Sequence, residues 1–119
     1  MEIKIIQNKK EWNTWLSARA EPNNFLQSWD WGDVLITEGK RVERLAVVED
    51  EQVLAQAQIV YTRILFGWQY AFCPKGIIGD GGEKAYITLS NYLKNKNCIF
   101  LSIEPESLRS KYFKKTIDI

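Results

Sequence analysis

Histidine is absent from all 119 residues. That removes a Ser-His-Asp triad, a Cys-His pair and every histidine-containing metal site from the chemistry of this chain. Catalysis would have to use carboxylates, lysine, tyrosine, cysteine or the backbone. Cysteine is scarce too. Cys73 and Cys98 stand far apart, so two reduced thiols are expected and a disulfide scaffold is not. No apolar run approaches the ~20 residues that a membrane-crossing helix needs. The opening MEIKIIQNKKEW has no signal-peptide core and no small-residue cleavage site, so a cytoplasmic protein is expected. An excess of one charge is also missing. Sixteen Lys and Arg face fifteen Asp and Glu, a net +1, which gives no field to gather nucleic acid non-specifically, and no DNA partner is expected. What remains is a globular composition, 45% hydrophobic and 26% charged, at a length that suits one domain with its own core.

The order of elements reads as a mixed α and β domain. A first strand is expected over Glu2 to Ile6. Asn8 is placed to cap a helix with Glu11 as its capping-box partner, and Trp12, Trp15 and Leu16 follow at helical spacing. Pro22-Asn23-Asn24 breaks that helix, and Phe25-Leu26-Gln27 reads as a short extended piece. Ser28 suits the N-cap of a second helix, with Asp30 in its first turn. Trp31, Val34 and Leu35 are expected to be its buried face and Gly39 its stop.

Three strands are expected next, Val42 to Val48, Val53 to Leu65 and Phe66 to Phe72. Short turns between them predict antiparallel pairing. Alternation puts Val53, Ala55, Ala57, Ile59 and Tyr61 on one face of the second strand, and points Phe66, Trp68, Tyr70 and Phe72 one way along the third. Pro74 to Gly82 is a glycine-rich loop. Glu83 to Lys94 is a third helix with Tyr86, Leu89 and Leu93 on one stripe, and Cys98 to Ile103 is the last clear strand, ended by Pro105. A strand, a crossover helix and a strand predict parallel neighbours. The tail from Ser107 to Ile119 is basic and then apolar.

Several local features admit a chemical and a purely structural reading. Phe25-Leu26-Gln27-Ser28-Trp29-Asp30-Trp31-Gly32 is the most unusual stretch. Tryptophans two apart on a helix cannot share a face. The segment is either a helix start with large packing residues or a place where Gln27 and an aromatic line a cleft. In Cys73-Pro74-Lys75-Gly76, continuing to Gly82, glycine amides and a lysine suit an anion at a helix N-terminus. There is no Walker sequence and no dinucleotide fingerprint, and the pyrophosphate loop of acetyl-coenzyme-A enzymes is missing. Glycines in such a turn also have a plain steric use. Glu104 ends an apolar strand, where a carboxylate serves as a proton or hydrogen-bond acceptor or simply faces solvent. Cys73, with no histidine to activate it, reads as a packing residue. The run from Arg109 to Lys115 suits either phosphate or water.

Taken in order, these segments resemble the Fem family of peptidoglycan bridge-forming aminoacyltransferases. Phe25 to Gly32 is similar to the family's Phe-x-Gln-Ser-x-x-Trp-Gly helix start. Leu54-Ala55-Gln56-Ala57-Gln58 resembles its Val-Ala-x-Ala-Gln strand. Tyr70-Ala71-Phe72-Cys73-Pro74-Lys75-Gly76 resembles its Tyr-x-Pro-(Arg/Lys)-Gly-Pro segment, and Ile103-Glu104-Pro105-Glu106 its Arg-Ile-(Asp/Glu)-Pro. The resemblance covers nearly the whole chain.

The resemblance implies a GNAT-like (acyl-CoA N-acyltransferase-like) domain of the α+β class, spanning 1–119 as the N-terminal part of a two-domain architecture. It implies transfer of an amino acid from aminoacyl-tRNA to an amine of a UDP-linked or lipid-linked muropeptide, with no cofactor. Under it, Gln27, Trp31, Tyr70, Lys75, Gly76 and Glu104 are the substrate-binding candidates. Gln27 and Tyr70 would bond precursor groups, Lys75 and the Gly76 amide would meet anions, and Glu104 would accept a proton or anchor an amine. No catalytic residue is singled out. Peripheral membrane contact is a further expectation.

The departures are specific. Ser102 stands where the family has arginine, Ile77 replaces the second proline, and Lys75 replaces an arginine and loses its two-pronged fork. No phosphate-binding lysine follows the helix tryptophan at Val34 or Leu35. The family runs on past Lys115-Thr116-Ile117-Asp118-Ile119, so the chain reads as a truncated domain, its activity alone left open. An unpaired apolar sheet edge in such a piece would invite homodimers. Two other readings stay open at this stage: an acetyl-coenzyme-A-dependent N-acetyltransferase of the same fold, and a non-catalytic module that binds the precursor.

Overall fold

β1 (Glu2–Ile5) leads to Asn8, whose side chain accepts the Glu11 amide at 2.9 Å and starts α1 (Lys9–Ser17). The Glu11 carboxylate turns to Lys4 at 3.0 Å, so only one half of the capping box is seen. The structure, a computed structural model, describes residues 1–21, 24–79 and 82–104, and 115–118 by backbone alone. Pro22-Asn23, Asp80-Gly81, Pro105-Glu106 and the basic run from Arg109 to Lys114 lie outside the described residues.

Phe25–Gln27 is a 3-10 turn and not the extended piece expected from sequence. Ser28 is the reason. Its amide and its hydroxyl both donate to the Phe25 carbonyl, at 2.9 and 2.6 Å, which closes the tight turn. The same hydroxyl oxygen accepts the Trp31 amide at 3.1 Å and caps α2 (Trp29–Thr37). Gly39, at φ 87°, ends that helix as expected, with its amide on Ile36 and the Lys40 amide on Leu35; the left-handed turn suits glycine. The buried face of α2 differs from the sequence reading. Val34 is exposed, Trp31 and Leu35 are half-buried, and Gly32 is the buried residue. A Cβ at Gly32 would stand 2.3 Å from Gln58 Oε1 and 2.6 Å from Arg44 Nη2. The helix reaches the sheet through the absence of a side chain.

The remaining elements are β2 (Arg41–Glu49), β3 (Gln52–Arg63), β4 (Gln69–Pro74), β5 (Ile78–Gly79), α3 (Gly82–Lys94), β6 (Cys98–Glu104) and β7 (Lys115–Asp118). They form a mixed sheet in the order β1-β2-β3-β4-β6-β7, with β5 also on β3. Neighbours from β1 to β4 are antiparallel, and β4 and β6 are parallel across the α3 crossover, both as the sequence predicts. Three details do not follow the sequence reading. Phe66 and Trp68 belong to the β3–β4 turn, not to a strand. Val48 pairs with Val53 after Val47 has paired with Ala55. Leu54 is thus a bulge that moves Val53 to the opposite face from Ala57 and Ile59. Residues 115–118 form β7 and pair antiparallel with β6, a strand the sequence reading did not include.

The sheet is covered on both faces. Leu89 and Leu93 of α3 meet Leu45, Ile59, Leu101 and Ile103 on one side. Trp12 and Leu16 of α1 meet Ile6, Ala46 and Ile78 on the other. Among the described residues no helix is long and apolar enough to cross a membrane.

Candidate substrate site

β4 follows β3 only as far as the pair Val60 and Phe72. One more two-residue step in that register would set Gln58 opposite Pro74. The strands part instead, and β5 takes the place beside β3, pairing Gly79 with Ala55 and Ile78 with Gln56. Backbone groups released by such a parting must find other partners. Gln27 supplies them. Its Nε2 donates to the Pro74 carbonyl at 2.6 Å and to the Gln58 carbonyl at 3.4 Å, and its Oε1 accepts the Gln58 amide at 2.8 Å. One side-chain amide thus stands in for the missing rung between two strands, with no surface exposed to water.

The network continues beneath α2. Gln58 Nε2 donates to the carbonyls of Leu26 and Ser28 at 3.2 and 2.9 Å, and its Oε1 accepts Arg44 Nε at 3.0 Å. Arg44 Nη2 donates to the Trp29 carbonyl at 2.8 Å and pairs with Asp33 at 3.0 Å. The guanidinium lies 3.6 Å over the Trp29 ring, a cation–π contact in a desolvated place. Buried polar groups joined in this way fix one arrangement of the elements that carry them.

What the brace holds is the turn after β4. Lys75 is left-handed at φ 54°, and its carbonyl accepts Asn24 Nδ2 at 2.8 Å. Gly76 is buried, and a Cβ on it would meet Cys73 Sγ at 2.7 Å and Gln27 Cδ at 3.0 Å. Pro74 pairs with Glu104, the last residue of the parallel neighbour β6. Lys75 Nζ therefore comes within 3.4 Å of Glu104 Oε1, both side chains being about half exposed. An ion pair so exposed contributes little to stability, under ~1 kcal/mol. Both groups remain available to a ligand, and they sit at the carboxyl ends of parallel strands, where open α/β sheets bind ligands.

The other two candidates stand apart from this pair. Tyr70 lies ~17 Å back along the strand from Lys75, with its ring stacked on Phe100 at 5.0 Å. Register puts Tyr70, Phe72, Ser102 and Glu104 on one face, all of them half-buried. Trp31 projects from α2 and meets the exposed Phe25 edge-to-face at 5.5 Å. The structure thus joins Gln27, Lys75, Gly76 and Glu104 at one point, and records no contact of Tyr70 or Trp31 with them.

A model of the FemAB family matches residues 7–118. The chain belongs to the FemAB family. Its structure is similar to a crystal structure of FemX, with a TM-score of 0.69 and 17% identity, over 90% of this chain and 28% of that one. Identity this low shows a shared fold. The chain spans less than a third of the FemX length. No curated protein matches the sequence.

Within this FemAB-family chain, two residues of the brace escaped the sequence reading. Gln58 appeared only as part of a strand motif, and Arg44 did not appear. The available signal was the polar pair Arg44 and Gln58 inside two strands otherwise rich in apolar residues, since such groups need each other when buried.

The two thiols are shielded. Burial pushes Cys73 up to about 12, against a hydrogen bond from Gln27 that lowers it, and burial raises Cys98 as well. Both are free and buried, so the reactive thiolate is scarce and shielded. Ellman's reagent at neutral pH is expected to find neither thiol in the folded protein and both after denaturation. Rapid labelling of the native chain would show that the β4 end opens.

Proposed function

We propose that the chain forms the GNAT-like first unit of a peptidoglycan bridge-forming aminoacyltransferase, working in the cytoplasm on an aminoacyl-tRNA donor and a UDP-linked or lipid-linked muropeptide. One observation carries this reading: residues from the separate motifs of the chain converge on one turn, where Gln27 holds Pro74, and Lys75 and Glu104 face each other across two parallel strand ends. The family match supports the reaction class.

The reaction is aminolysis of an ester. The acceptor amine attacks the aminoacyl carbonyl carbon, a C–N bond forms and the ester C–O bond breaks. The amine loses a proton, and the departing ribose oxygen gains one. Glu104, at the end of β6, is the group to take the proton or to anchor the ammonium before it reacts. Lys75 gives a cation, and the Gly76 backbone a donor, for anionic groups of the precursor or for the oxyanion. Gln27 acts as a positioning residue that sets where Lys75 and Gly76 stand. Trp31 and Tyr70, which stand apart from Lys75 and Glu104, would meet more distant parts of the substrates. Much of the rate would come from holding the two substrates in register.

Calorimetric titration of the chain with a UDP-linked muropeptide tests this, with acetyl-coenzyme A titrated in parallel. Saturable heat is expected with the muropeptide and none with acetyl-coenzyme A. Loss of one charge-assisted contact in Lys75→Ala should weaken binding about tenfold or more, with the melting temperature almost unchanged. Binding of acetyl-coenzyme A instead would favour an ordinary N-acetyltransferase. No heat with either ligand would overturn the reading for this site.

A further inference from the structure

The turn between β3 and β4 presents a cluster of large apolar side chains to water. Phe66 is 95% exposed and Leu65 68%, with Ile64 and Trp68 about half exposed beside them. The backbone makes the choice of residue unusual. Ile64 N–H bonds the Trp68 carbonyl at 2.8 Å and Trp68 N–H the Leu65 carbonyl at 3.0 Å. Phe66 and Gly67 between them are both left-handed, at φ 58° and 81°. A two-residue hairpin turn of this kind favours Asn, Asp or Gly at both centres, and a bulky side chain there is an outlier. Phe66 serves neither the core nor the turn. An outlier of this sort points to a use outside the chain.

Charge says what that use is. The loop ends that share this end of the sheet carry Lys40, Arg41, Arg63, Lys94 and Lys96, against Glu38 and Glu43, among residues with described side chains. Glu43 is itself held by Lys96 at 3.0 Å. A chain that is almost neutral overall thus carries a local excess of cations beside an apolar tip. A second copy docked tip to tip would bring like charges together, which disfavours a dimer through this surface. An anionic bilayer suits both features at once. The acyl boundary takes Leu65 and Phe66, the headgroup layer suits Trp68, and anionic headgroups attract the basic collar.

We propose that the Ile64–Trp68 tip is a membrane-surface anchor that inserts its apolar side chains into an anionic leaflet. The inference stands on exposure, backbone and charge, and does not rest on the transferase reading. Vesicle co-sedimentation tests it, with phosphatidylcholine alone and with an equimolar mixture of phosphatidylcholine and phosphatidylglycerol. The chain is expected to bind the anionic vesicles, to bind neutral ones less, and to be released by salt. Phe66→Asn is the decisive variant. Asparagine suits the left-handed position better, so the melting temperature should hold or rise while anionic-vesicle binding falls about tenfold or more. Absence of binding at low salt would overturn the proposal. So would equal binding by wild type and Phe66→Asn, or equal uptake by neutral and anionic vesicles. Self-association that Phe66→Asn abolishes, without vesicle binding, would assign the tip to a second copy instead.

Discussion

Gln27→Leu is expected to lower stability by roughly 3 kcal/mol, from the cost of leaving buried polar groups unbonded. Leucine fills a similar volume, so lost packing contributes little. The loss is in partners. The Pro74 carbonyl, the Gln58 amide and the Gln58 carbonyl all lean on this one side chain. They lie where β3 and β4 have separated, past the last pair of Val60 and Phe72. The urea midpoint should fall with the slope unchanged, as for a mutation that alters stability and not the extent of unfolding. The melting temperature should drop by roughly 10–15 °C for a chain of this size. A drop under ~1 kcal/mol would show that the strands simply close over the gap.

Gln27→Glu separates bonding from shape. An ionised carboxylate still accepts the Gln58 amide but cannot donate to the Pro74 carbonyl, and it buries a charge. Burial holds such a group protonated, with a folded pKa above its unfolded value near ~4.3. The sign follows from linkage. Stability relative to wild type is fully present below the unfolded pKa, where the acid form donates to Pro74, and is lost as pH rises through the folded pKa. Denaturant midpoints of Gln27→Glu and wild type should therefore converge in acid and diverge toward neutrality. A constant difference would mean that the position is wet.

Local signals carried the sequence reading well. Asn8, Ser28 and Gly39 act on their own helix ends, through bonds that span three or four residues, and each is found where expected. The α3 crossover was legible for the same reason, since connection length restricts the strand pairing. The motif residues were visible one by one. Their relation was not, because Gln27, Gln58 and Pro74 meet only through the sheet. Gln27 looked like a ligand-facing amide, whereas the fold places it between two strands. Arg44 was hidden for a similar reason. A cation inside an alternating strand reads as solvent-facing, and only the approach of α2 over Gly32 encloses it. At Phe66 the even spacing with Trp68, Tyr70 and Phe72 resembled one strand face. A turn residue with positive φ breaks that period, and nothing in the phenylalanine itself announces it.

Arg44→Met should have an effect as large as Gln27→Leu, and its comparison with Asp33→Asn locates the source. The two partners of this ion pair are unequal. The Arg44 side chain is 9% exposed and that of Asp33 57%. Methionine in place of Arg44 leaves the buried Gln58 Oε1 and the part-buried Trp29 carbonyl without that donor, and removes the cation from the Trp29 face. Those losses sum to roughly 2–4 kcal/mol. Asp33 keeps its hydration, so its loss of a partner costs little. Asp33→Asn should cost under ~1 kcal/mol, as for exposed pairs. If the attraction between Arg44 and Asp33 supplied most of the stability, both variants would fall together and high salt would narrow the gap to wild type. If the hydrogen bonds from Arg44 to Gln58 and Trp29 supply it, only Arg44→Met falls, and salt leaves it there. The second outcome is expected. It would make Arg44 the far end of the brace that reaches Pro74 through Gln58 and Gln27. Arg44→Met should then also weaken muropeptide binding at Lys75 without touching it, and a double variant with Gln27→Leu should lose less than the two single losses added, as for residues in one network.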